Sequence, residues 1–88
     1  MSSVVVLNEV NFSSEVLDFG GIVAVGFFQR GTPSEENMCE TLSQMAAKAA
    51  GKIKVGQVDV AAAPNLAQQY RVESVPKLMI FHGGKPTS

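Results

Sequence analysis

One cysteine, one histidine and no tryptophan in 88 residues leave little of the chemistry that small proteins use for bracing or catalysis. A lone thiol, Cys39, cannot form an intramolecular disulfide or furnish a cysteine-rich metal site, so a disulfide scaffold and a zinc module are both excluded. A single Cys also fits a reducing compartment. An excess of one charge is missing too. Seven Lys and Arg stand against eight Asp and Glu, a formal net charge of −1, and no basic stripe runs along any segment. The electrostatic footprint of a nucleic-acid binder is therefore lacking. No apolar run approaches the roughly 18 residues that a membrane helix needs. Val4 to Leu7 is short, with no basic segment ahead of it, and does not make a signal-peptide core. These absences lead us to expect a cytoplasmic protein with no nucleic-acid or membrane partner, no metal and no cofactor.

What is present is apolar and well punctuated. With 45% hydrophobic residues, a chain of this length buries roughly 60 to 65% of the surface its unfolded form exposes, enough for one small domain over residues 1–88. Val4 to Leu7 is β-branched and predicts a first strand ending near Leu7. Asn11 suits a helix N-cap, and the spacing of Phe12, Val16 and Phe19 predicts one face of a short helix that Gly20-Gly21 ends. Ile22 to Phe28 has no polar alternation, which marks a central strand covered on both faces. From Pro33 to Ala50 the positions Met38, Leu42, Met45, Ala46 and Ala49 recur at three and four, an amphipathic helix with Gly51 as its stop. Ile53 to Val60 alternates as a third strand. Pro64 suits the first position of a further helix, turning Leu66, Ala67 and Tyr70 inward. Lys77 to His82 predicts a fourth strand before the turn Gly83-Gly84.

The order β-α-β-α-β-α-β predicts an α/β protein whose second and third strands are parallel and joined by the long helix. If the fourth strand is antiparallel, it lies at an open edge that a partner or a second copy would cover. The strand-to-helix turn Gln29 to Glu36 is where such folds gather chemistry, because backbone N–H groups and the positive end of the helix dipole converge there. It contains no Cys, His or Lys and no glycine-rich loop.

In this order and spacing the segments resemble the thioredoxin family over nearly the whole chain. Val25-Gly26-Phe27-Phe28 resembles the family's buried strand, Gly51 to Val55 its entry into the third strand, and Tyr70 to Leu78 the segment with its cis-proline. Phe81 to Lys85 is similar to the close of its fourth strand. The resemblance implies a three-layer fold with a central mixed sheet, lacking the family's last strand and C-terminal helix. It thus describes either a fragment of a longer protein or a shortened form. It also places the redox motif Trp-Cys-Gly-Pro-Cys on Gly31-Thr32-Pro33-Ser34-Glu35, with neither cysteine present. The buried acid of many members falls on Gly26 and its lysine neighbour on Gln57. The helix proline falls on Glu40, and Lys77 replaces the threonine after the cis-proline.

Dithiol exchange needs an attacking thiolate and a second thiol to resolve the mixed disulfide, so no catalytic residue is expected at Thr32, Pro33, Ser34 or Glu35. These four residues spell a capping box, with Thr32 as N-cap and Glu35 reaching back. Alternatively Gly31, Thr32 and Pro33 line a peptide groove with Val75 and Pro76, where the cis-proline that the resemblance implies at Pro76 would leave the peptide groups of Val75 free to pair with an extended segment. Pro76 otherwise only shapes a turn. Cys39, one turn beyond Glu35, reads as a buried small residue or as the thiol of a monothiol oxidoreductase or intermolecular disulfide. The expected function is a redox-inactive protein-binding or assembly module, linked to cell redox homeostasis by family only. The alternative is residual thiol-disulfide exchange through Cys39.

Overall fold

A computed structural model describes residues 4–49 and 51–87. Its elements are β1 (Val5–Leu7), a single wide turn of π helix (Ser13–Leu17), β2 (Ile22–Phe28), α1 (Pro33–Ala49), β3 (Lys54–Asp59), α2 (Pro64–Gln69), β4 (Lys77–His82) and β5 (Lys85–Pro86). The strands form one mixed sheet in the order β1-β3-β2-β4-β5. β3 runs parallel to both β1 and β2, whereas β4 is antiparallel to β2 and to β5. The βαβ unit expected from Ile22 to Val60 is therefore present, and β2 and β4 occupy the predicted residues.

Alternation along β2 divides the core between the two faces of the sheet. Val23, Val25 and Phe27 pack on one side with Phe12, Val16, Val58, Leu66, Met79 and Phe81. On the other, Phe28 and Val55 pack with Met38, Leu42 and Ala46 of α1. Helical elements thus cover both faces, giving three layers. Phe12, Tyr70 and Phe81 interlock with ring centroids 5.2 to 5.7 Å apart. Tyr70 is half-buried in this trio, and burial pushes its phenol pKa up.

The short helix expected after Asn11 is not α-helical. Its turn closes with Asp18 N–H donating to the Ser13 carbonyl at 2.9 Å, an i to i+5 bond that widens the ring. Asn11 does not act as the expected cap. Its side chain accepts from Asn8 N–H at 2.8 Å and donates to the Val6 carbonyl at 3.0 Å. It thereby occupies part of the outer edge of β1, one way an edge strand is kept from pairing. Phe19, expected on the inward face, falls past the turn and is 46% exposed. There its ring lies 4.5 Å from Lys54 Nζ, which also donates to the Glu15 carbonyl at 2.9 Å and pairs with Glu15 Oε1 at 2.7 Å. The ammonium fastens the turn to β3 from three directions.

The open edge expected at β4 is partly closed. Gly83 and Gly84, both at positive φ, turn the chain back so that Phe81 pairs with Pro86 and His82 with Lys85. Thr87 N–H donates to the Ile80 carbonyl at 2.8 Å. The edge left open is Lys77–Met79. The long helix ends at Ala49, with Lys52 N–H donating to the Ala49 carbonyl at 2.9 Å and Gly51 at φ +83°; Ala50 and Ser88 lie outside the described residues. Among the described residues no helix is long and apolar enough to cross a membrane.

Candidate functional site

Sheet register decides which loops meet. Phe27 pairs with Lys77 and Phe28 with Asp59, so the segment leaving β2, the segment entering β4 and the end of β3 share one end of the sheet. Gly31, Thr32 and Pro33 follow β2 there, and Val75 and Pro76 precede β4. The Val75–Pro76 peptide bond is cis. Gly31, Pro33 and Pro76 are exposed, and Thr32 and Val75 half-buried.

The start of α1 is organised by oxygen atoms. Ser34 is buried, and its hydroxyl accepts from Gln29 N–H at 3.1 Å. It also lies 2.6 Å from the Thr32 hydroxyl, which donates to the Gln29 carbonyl at 2.7 Å. Glu35 turns back so that Oε1 accepts from Gly31 N–H at 3.0 Å. The expected capping box is therefore displaced. Thr32 Oγ1 donates to a carbonyl instead of capping the Glu35 N–H, which finds the Thr32 carbonyl at 3.0 Å. Glu35 serves Gly31 and not Thr32. Gly31 at φ +83° makes this possible by bending the chain so that its N–H faces the carboxylate. Asp59 joins from β3, its Oδ1 accepting from Arg30 N–H at 3.2 Å and Ala61 N–H at 3.0 Å. Sequence reasoning missed Asp59 and Gln29. An aspartate closing an alternating strand was the available signal for the first; nothing local marks the second.

Ser34 holds the two ends of this turn together, which gives a direct expectation. Ser34→Ala leaves the Gln29 N–H without its acceptor in a half-enclosed place and should cost about 1 to 2 kcal/mol. Urea unfolding monitored by Tyr70 fluorescence or circular dichroism reads this as a lower midpoint at unchanged slope.

Cys39 stands apart from this cluster. It lies on α1 one turn beyond Glu35, half-buried where full burial was one expectation, with Sγ 3.9 Å from Gln57 Oε1 as a weak S–H donor. Gln57 in turn is in register with Gly26, so Cys39, Gln57 and Gly26 share the α1 side of the sheet. A Cβ on Gly26 would come within 2.5 Å of Met38 Sδ and 2.7 Å of Leu42 Cδ1. Sulfur and methyl groups thus fill the space where a side chain at position 26 would go. Every buried side-chain nitrogen and oxygen among the described residues has a hydrogen-bond partner, which leaves this end of the core without an unpaired acid or base. Among the described residues no three His, Cys, Asp or Glu side chains gather as metal ligands.

Residues 3–88 match the family model for thioredoxin. The chain is 34% identical over 85 residues to thioredoxin 1 of a Nostoc species, covering 97% of this chain and 79% of that protein. To the thioredoxin of Buchnera aphidicola it is 31% identical over 83 residues, covering 94% and 77%. It is also 36% identical over 89 residues to protein disulfide isomerase-like 2-3 of Oryza sativa, covering 97% of this chain but only 19% of that larger protein.

Proposed function

Because this chain belongs to the thioredoxin family, we propose that it is a redox-inactive member: a protein-binding or assembly module that takes an extended peptide segment between Gly31–Pro33 and Val75–Pro76. The observation carrying this reading is the oxygen network at the start of α1. At the two positions the resemblance assigns to the redox cysteines, Thr32 and Glu35 hydrogen-bond to the backbone of the same turn. A threonine hydroxyl is not ionised near neutral pH and a carboxylate carries no sulfur, so neither can attack a disulfide or resolve one. The exposed Gly31, Pro33 and Pro76 beside the half-buried Val75 offer an extended segment both backbone and apolar contact. A cytoplasmic location agrees with the single unpaired cysteine.

A second reading keeps thiol exchange through Cys39, and the partial exposure of that residue favours it. Cys39 Sγ faces the neutral Gln57 amide, and the chain holds no second thiol to resolve a mixed disulfide. Reduction of a disulfide substrate should therefore stay at buffer background for both the wild type and Cys39→Ser, with a dithiol thioredoxin as the positive control. Activity present in the wild type and lost in Cys39→Ser would establish the second reading in place of the first.

Binding is tested separately. Peptides selected from a random display library against the folded chain, added to isotope-labelled protein, should shift the amide resonances of Arg30, Gly31, Thr32, Ser34 and Glu35 and of Ser74 and Val75. Selected peptides that shift only resonances elsewhere would remove the groove from the proposal.

A further inference from the structure

We draw no further inference here: the strongest candidate, the sheet face beside the open edge of β4 where Leu78 and Ile22 are 38% and 39% exposed next to Ile80, carries none because nothing in the structure shows what covers it.

Discussion

Gly26→Asp should unfold this protein far more easily than its small change in volume suggests. The new Cβ meets Met38 Sδ at 2.5 Å, Met38 Cγ at 2.8 Å and Leu42 Cδ1 at 2.7 Å, so the Met38 and Leu42 side chains must repack to admit it. The carboxylate would then sit among methyl and thioether groups with Gln57 as its nearest amide partner by register. Overpacking alone costs about 1 to 3 kcal/mol, which Gly26→Ala measures. An uncompensated buried charge raises the total to about 3 to 5 kcal/mol. For a domain of this size each kcal/mol lowers Tm by roughly 4 to 8 °C, so a fall of more than about 12 °C is expected at pH 7.

The pH dependence separates the two contributions. An acid in an apolar site has its folded-state pKa raised, so the folded form holds its proton more tightly than the unfolded chain. The stability deficit therefore grows as pH rises from the unfolded value near 4 through the folded one, and is smallest below about pH 4. If Gly26→Asp matched Gly26→Ala at pH 7, the carboxylate would not be buried in an apolar site; a cost-free Gly26→Ala would show that Met38 and Leu42 do not close the space.

Restoring the two thiols should have the largest effect on activity. In the double variant Thr32→Cys with Glu35→Cys, the sulfurs stand three residues apart, one just before α1 and one in its first turn, a spacing that turns both side chains to the same side of the helix start. A thiol at a helix N-terminus has a pKa of about 7 or lower, which gives an appreciable thiolate fraction at neutral pH. Disulfide reduction by the double variant should exceed the wild-type rate by at least about tenfold, since the wild type brings no thiol to this turn. Thr32→Cys alone should form a mixed disulfide and stall, because nothing resolves it. Losing the Glu35 contact to Gly31 and the Thr32 contact to Gln29 costs the variant about 1 to 2 kcal/mol of stability. A folded double variant no faster than the wild type would show that the turn has lost more than its sulfur.

Much of this architecture is legible in the chain, and the reason differs by element. β2 and β4 follow from composition: the unbroken apolar run Ile22 to Phe28 suits a strand buried on both faces, and Gly83-Gly84 closes β4. α1 follows from the three-and-four spacing of Met38, Leu42, Met45, Ala46 and Ala49, of which Met38, Leu42 and Ala46 are buried. Ser13 to Leu17 was not legible as a π turn. Its hydrophobic spacing suits an α-helix, and no local signal marks the i to i+5 closure or the Asn11 side chain that bridges Val6 and Asn8 in place of capping the turn. β5 was hidden because two residues, one of them proline, carry no strand signal; it forms because β4 is already there to pair with.

The candidate site divides along the same line. The chain by itself determined that Gly31 to Glu35 contains no thiol, and chemistry alone then removes dithiol exchange from that turn, since no arrangement of Thr32 and Glu35 in space gives either residue a sulfur nucleophile. Only the tertiary structure decided what those side chains do instead. Glu35 caps Gly31 and not Thr32 because Gly31 takes a left-handed conformation that brings its N–H round to the carboxylate. Sheet register likewise brings Val75 and Pro76, more than forty positions along the chain, to the same sheet end as Gly31. Local pattern specifies which residues are available to a site; pairing between distant strands specifies which of them become neighbours.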